Sequence, residues 1–268
     1  MSSAGSAPTM ATTTPKQTDS VPALRRAVAI LDMVSGAGGT LNAADITRHA
    51  GLPKSTVHGL LSVMTELNLL VKNDDGRFTT GAHPMRWANS FLGQMDIVSI
   101  FRNYFAADLE LAPYTVTLTI RDHDEVVYIG CRNSDQPLGH SFRIGMRLPA
   151  PYTATGKMLL SELPDDVLND MFSHGLPPAL SAKSVKTISL LQQELADTRK
   201  RGYSIDDGQI REGMICIGAA IRDHTGQANA GIAISLMKSE ATTEMVEKLG
   251  RTMQKAASEL SQQMGYSR

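Results

Sequence analysis

From Pro22 onward the apolar residues Leu24, Val28, Leu31 and Val34 recur at helical spacing, and the glycines between Gly36 and Gly39 then break the pattern. The spacing predicts a first helix with one buried stripe. In the next stretch, LNAADITRHAGLPKSTVHGLLSVMTELNLL, Asn42 can cap a short second helix that stops at Gly51, and Pro53 stands near the first turn of a third. That third helix carries Val57, Leu60, Leu61, Met64 and Leu67 on one face, which leaves Lys54, Ser55, His58, Gly59 and Ser62 facing out. The run LVKNDDGRFTTG follows, two short extended pieces around Asp75-Gly76, a strong signal for a two-residue hairpin. Three helices and a hairpin in this order predict a winged helix-turn-helix over residues 21–81.

Residues 82 to about 112 read as helical and amphipathic, with Met85, Trp87, Phe91, Ile97, Ile100, Phe101, Tyr104 and Phe105 on the apolar side. Residues 82–99 are expected to form a linker helix and 100–268 a second domain. There the period changes. TVTLTIRD and EVVYIGCR alternate about a polar turn, and HSFRIG predicts a third strand. A helix is expected from near Thr153 through GKMLLSELP and another from Thr187 to Arg201. GYSIDD, GMICIGAAIRD and ANAGIAISL predict three more strands, and Glu240 to Met264 a closing helix. Strands in two groups around helices, with hairpin connections, predict an α+β domain with a mostly antiparallel sheet.

Composition narrows the class. The chain has 268 residues, 42% of them hydrophobic and 20% charged, which suits two globular domains better than one and excludes a disordered chain. A net charge of -1 gives no global footprint for nucleic acid, so any DNA contact must come from a local surface. Residues 21–80 carry Arg25, Arg26, Arg48, Lys54, Lys72 and Arg77 against Asp32, Asp45, Glu66, Asp74 and Asp75, a surplus of one. Cys131 and Cys216 stand far apart without a second Cys or a His at ligand spacing, so neither a metal site nor a disulfide framework is legible. Residues 1–20 are rich in Ser, Thr, Ala and Pro and read as a disordered tail, not a signal peptide. With no apolar run long enough for a membrane span, a cytoplasmic protein without cofactor or metal is expected.

Three blocks carry a resemblance. LRRAVAILDMVS with AGLPKSTVHGLL, then GMRLPAPYTATGKMLL, then RGYSIDDGQIREGMICIGAAIRD with GIAISL are similar, in this order and spacing, to segments of the IclR family of bacterial transcriptional regulators. The likeness runs from about Val21 to Ser261. It implies a GAF-like effector-binding domain, a homodimer or homotetramer on a palindromic operator in double-stranded DNA, and control by a small carboxylic acid.

Lys54, Ser55, Thr56 and His58 stand near the start of the third helix, where cationic and hydroxyl groups can meet phosphates and base edges in a major groove. On the residues alone this is equally a solvated helix face with a capping Ser. Gly59 departs from the family, which commonly has Arg there. Arg77 in the wing is either a phosphate contact or an ordinary exposed Arg. Ala154 and Thr155, at the start of a helix, present backbone N–H groups and a positive dipole end that can hold a carboxylate, or Thr153 simply caps the helix. The Gly156-Lys157 pair lacks the other residues of a nucleotide-binding loop. By resemblance Cys216 and Ser235 line the effector pocket, where Ala233 replaces a common second Ser. Met146, Tyr152 and Met214 stand near these elements, so the rest of the ligand is expected to be apolar, benzoate-like rather than a hydroxylated two-carbon acid. Asp206, Asp207 and Glu212 are read as a polar turn without catalytic role. Two rivals remain: an enzyme with a winged-helix domain, such as a methyltransferase, which would need a glycine-rich cofactor loop after a strand, and a non-DNA interaction module with a degenerate recognition helix.

Overall fold

The computed structural model describes residues 21–93, 96–106, 110–134 and 142–267. The expected tail at 1–20 lies outside the described residues. The chain packs as two compact units that divide between Phe91 and Leu92.

The first unit contains α1 (Pro22–Gly36), α2 (Ala43–Ala50), α3 (Lys54–Glu66), a hairpin of β1 (Leu70–Lys72) and β2 (Phe78–Thr80), and most of α4 (His83–Gly93). Local signals set the ends. The Asn42 side chain accepts the N–H groups of Ala44 and Asp45 while Asp45 accepts that of Asn42, a complete capping box. Gly51 stops α2 in the left-handed region at φ 62°. The core is Ile30, Val34, Ile46, Val57, Leu61, Met64, Leu70 and Phe78.

Three details differ from expectation. α1 offers two overlapping apolar stripes, and the core takes the one around Ile30 and Val34, so that Leu24 is 63% and Val28 50% exposed. Leu67 is exposed because α3 ends one residue before it. The wing is a three-residue turn: Asn73 N–H donates to Arg77 O (2.8 Å) and Gly76 N–H to Asn73 O (2.9 Å), with Gly76 at φ 78°. The positive φ falls on the third loop residue, which makes a type I turn closed by a glycine bulge.

The second unit is a six-stranded antiparallel sheet in the order β5-β4-β3-β8-β7-β6. Its strands are β3 (Thr115–Asp122), β4 (Glu125–Arg132), β5 (Arg147–Pro149), β6 (Ser204–Asp207), β7 (Met214–Arg222) and β8 (Ala228–Met237). One face meets α5 (Asp96–Ala106) and α9 (Thr243–Gln263): Ile215, Ile217, Ile232 and Ile234 pack there with Phe101, Phe105, Met253 and Leu260. The other face carries α6 (Ala154–Ser161), with α7 (Asp165–Met171) and α8 (Ile188–Arg201) on that side. Because β7 and β8 are buried on both faces, neither shows the clean alternation of a half-solvated strand.

The third expected strand moves. HSFRIG begins outside the described residues, and Arg143 to Met146 form a turn, with Gly145 at φ 85° donating to Tyr128 O (2.8 Å); the strand that pairs with β4 is Arg147–Pro149. The expected linker through residue 99 is too long, since α5 begins at Asp96 and buries Ile97 and Val98 in this core. Met85 and Trp87, expected on an apolar face, are exposed, and the side chain of Phe91 lies outside the described ones. α7 was not legible, and the closing helix starts at Thr243, capped by Thr242, which accepts Met245 N–H (3.2 Å).

Candidate functional site

On the first unit, α3 turns Lys54, Ser55, His58 and Gly59 to solvent, and Thr56 is half-buried. Among the described residues the side chains of Lys54, Ser55 and His58 make no hydrogen bond or ion pair, and Ser55 does not cap the helix. Their polar groups are therefore available to a phosphate or a base edge. A side chain at position 59 would meet nothing within 4 Å, so packing does not demand the glycine. Arg77 is differently placed: its Nη1 donates to Thr40 O (2.9 Å) and its Nε lies 3.2 Å from Asp75 Oδ2, tying the wing to the loop before α2.

On the second unit, a cavity with about 280 Å³ of empty space lies between the sheet and the start of α6. Thr117, Tyr128, Phe142, Thr153, Ala154, Thr155, Asp206, Ile210, Met214, Cys216, Ala233 and Ser235 line it. Glycines let the helix approach. A Cβ on Gly218 would fall 2.8 Å from Ala154 C and 2.9 Å from Thr155 N, and one on Gly231 3.3 Å from the Thr155 side chain. Ser204 Oγ then donates to Ala154 O (2.5 Å), fixing the first turn of α6 on the sheet. Thr153 caps the helix by accepting Gly156 N–H (2.9 Å), which leaves the N–H groups of Ala154 and Thr155 without an acceptor among the described residues.

Strand register supplies the opposite wall. Asp206 pairs with Cys216, Cys216 with Ser235, and Ser235 with Thr115, so four polar residues cross four strands in one row. Cys216 Sγ and Ser235 Oγ lie 3.2 Å apart. Burial pushes the Cys216 thiol and the Tyr128 phenol up, so both stay neutral near pH 7. Ala233, in the next row, is one of the small residues facing α6.

The structure thus brings Ala154, Thr155, Met214, Cys216 and Ser235 to one cavity. It does not bring Met146 or Tyr152 there. Both pack in the neighbouring cluster under α7 and α8, where Met146 O accepts Tyr128 N–H (2.9 Å) and Tyr152 Oη donates to Pro177 O; the turn before β5 carries them past the cavity.

Asp206 was missed. It lies in a strand, not a turn, and is 1% exposed. Its Oδ1 accepts Gln209 N–H (2.6 Å), whereas its Oδ2 is buried without a partner. Burial pushes the carboxyl up to about 6, against the lowering pull of Lys157 and the backbone N–H groups of Gln209 and Ile210. The signal available in the sequence was the alternation Tyr203, Ser204, Ile205, Asp206, which is strand-like up to Asp207.

A winged helix-turn-helix with an exposed polar face on α3, and a second domain holding a cavity of mixed polar and apolar lining, define a transcriptional regulator under small-molecule control. The chain belongs to the IclR family: residues 23–74 match the IclR helix-turn-helix domain and residues 89–262 the bacterial transcriptional regulator IclR C-terminal domain. It is 30% identical to the acetate operon repressor of Salmonella typhimurium over 262 residues, 96% of this chain and 95% of that one. The crystal structure of the Agobacterium tumefaciens repressor BlcR is 58% identical, with a TM-score of 0.63 over 94% of this chain and 100% of that one. An IclR homolog from Microbacterium hydrocarbonoxydans, solved in complex with 4-hydroxybenzoate, shares the fold at 23% identity, with a TM-score of 0.75 over 91% of this chain and 100% of that one. Among the described residues no helix is long and apolar enough to cross a membrane, and no cluster of His, Cys, Asp and Glu could hold a metal ion.

Proposed function

We propose that the chain is a cytoplasmic repressor, not an enzyme, that binds a palindromic operator as a homodimer or homotetramer, and that its effector is a small carboxylic acid carrying a hydrogen-bond donor. The observation that carries the effector reading is the buried, unpartnered Oδ2 of Asp206 in the cavity wall. A bare acceptor in such a site costs about 1–3 kcal/mol, and a ligand hydroxyl removes that cost. The ligand's own carboxylate is repelled by Asp206 and drawn to the N–H groups of Ala154 and Thr155 and to the Ser235 hydroxyl. Phe142, Ile210 and Met214 offer apolar wall for a short carbon chain. With about 280 Å³ of empty space, just below the usual range for ligand pockets, the cavity suits a smaller acid than the benzoate-like one expected from sequence. The 4-hydroxybenzoate of the Microbacterium protein carries both groups, but at 23% identity that likeness extends to the fold.

DNA contact is assigned to Lys54, Ser55, Thr56 and His58, with Arg77 holding the wing's shape. Assembly is supported by the exposed apolar face of α1, where Val21, Leu24 and Val28 are each at least half exposed, and by the need of one small DNA-binding unit for a second half-site. Cys216 reads as a ligand-holding group, because burial and the neighbouring Asp206 carboxyl both keep its thiol neutral and so unreactive.

Calorimetry with matched acids tests the effector: propionate against lactate, and butyrate against 4-hydroxybutyrate. The hydroxylated member should bind at least ~10-fold tighter, about 1.4 kcal/mol, and should change mobility-shift affinity for upstream DNA. Equal affinities within both pairs would reject the donor requirement.

A further inference from the structure

We propose that Lys157, Glu194 and Gln209 form a positioning clamp that aims the Asp206 carboxylate into the effector cavity and sets its charge. The inference deepens the effector reading above and rests on it for its consequence, not for its geometry. Lys157 is only 1% exposed, a cation inside α6 with no place in the cavity wall. Its Nζ lies 2.5 Å from Glu194 Oε2 on α8 and donates to Ile205 O (3.1 Å), the carbonyl just before Asp206.

Just after Asp206, the Gln209 carboxamide donates to both Glu194 oxygens (3.0 and 3.1 Å) and accepts Val185 N–H (3.1 Å). The Ser184 hydroxyl donates to Gln209 O (2.8 Å). The chain is thus held on both sides of Asp206 by one ion pair and its amide bridge. With Gln209 N–H on Oδ1, the carboxylate presents Oδ2 in one direction. The pair joins a buried ammonium to a carboxylate that is still 37% exposed, so solvent screening leaves it a weak source of stability and its placement calls for another use.

The surroundings of Asp206 leave this pair as the adjustable charge. Lys157 acts from α6, Cys216 from β7, Tyr128 from β4 and Asp207 from its own strand, with Glu194 behind Lys157. Cys216 and Tyr128 stay neutral, and Asp207 is engaged by Lys238 at the surface (2.5 Å). Lys157 therefore favours the Asp206 carboxylate, and Glu194 tempers it. A ligand hydroxyl that donates to Asp206 binds the ionised form, so its affinity rises as pH climbs through the titration near 6.

Carboxyl 13C NMR of the ligand-free protein tests the clamp, with Asp206→Asn to assign the resonance. Lys157→Met should shift the Asp206 titration up by about one unit, and Glu194→Gln should shift it down. A scaffold without electrical role would lower stability in both variants without opposed shifts, and that result, or no shift, overturns the proposal. If Lys157→Met does not fold, the sign in Glu194→Gln decides: a downward shift upholds the clamp and any other result overturns it. Calorimetry with lactate and propionate at pH 5 to 8 separates the two readings. Opposed titration shifts with equal binding of the two acids would uphold the clamp and overturn the hydroxyl reading alone.

Discussion

Asp206, on the edge strand β6, faces Cys216 across the β6–β7 ladder, placing a buried carboxyl beside a buried thiol. The row continues to Ser235, in contact with Cys216, and to Thr115. A sheet buried on both faces gains most from apolar residues in such a row. A polar row that includes an unpaired acceptor is therefore one that packing alone does not favour.

The first prediction concerns Ser235. In the ligand-free protein its hydroxyl has Cys216 as a partner, so Ser235→Ala leaves only a weak sulfur donor behind and the fold intact. A hydrogen bond to a carboxylate contributes about 1.5–3 kcal/mol, so effector affinity should fall at least ~10-fold in calorimetry while operator binding without effector is unchanged. Unaltered affinity would remove Ser235 from the site.

Asp206 gives a stability prediction with a definite sign. Its folded value of about 6 lies above the ordinary 3.8, so the folded state binds more protons than the unfolded one between these values. Stability therefore falls as pH rises through that window, and above about 6 the cost is fully present. Asp206→Asn should be more stable than the parent at pH 7, on the order of 1–3 kcal/mol, with no advantage at pH 3.5. Urea melts at the two pH values check this, and a variant less stable at pH 7 would contradict it.

What was legible in the sequence was what short-range chemistry decides. The cap at Asn42, the left-handed stop at Gly51 and the cap at Thr153 are set by residues within a turn of one another. The hairpin strands of the sheet were readable for the same reason. The choice between the Leu24–Val28 and Ile30–Val34 stripes was not, because it depends on how α2, α3 and the wing meet α1. Asp206 was hidden by distance along the chain: Lys157 bonds the carbonyl next to it from 48 residues away. Met146 and Tyr152 were misplaced by the opposite error, nearness in sequence taken for nearness in space.

Two glycines should respond in opposite ways. Gly218→Ala puts a methyl group 2.8 to 2.9 Å from the backbone of α6 and from Ser204 Oγ, so the helix start must lift off the sheet. The expected loss is about 1–3 kcal/mol, together with effector response, since Ala154 and Thr155 move with the helix. Gly59→Ala meets nothing and should add about 1 kcal/mol through helix propensity alone. Denaturant melts of both variants test the pair, and a neutral Gly218→Ala would mean that the close approach of α6 is not required.

The last prediction separates a DNA-reading α3 from a merely solvated one. Lys54 is exposed and without an internal partner among the described residues, so Lys54→Ala should leave stability within ~0.5 kcal/mol. If its ammonium neutralises a phosphate, the variant binds upstream DNA more weakly, and the slope of log affinity against log salt falls by about one counterion. Gly59→Arg adds a cation on the same face, one residue from His58, with open space around it, and should raise affinity for non-specific DNA and steepen the slope by a similar amount. Opposed slope changes, in one variant of near-parental stability and one at least as stable as the parent, cannot come from loss of folding. Identical slopes for both variants and the parent would show that this face of α3 does not touch the phosphate backbone, and would leave the winged helix as an interaction module of another kind.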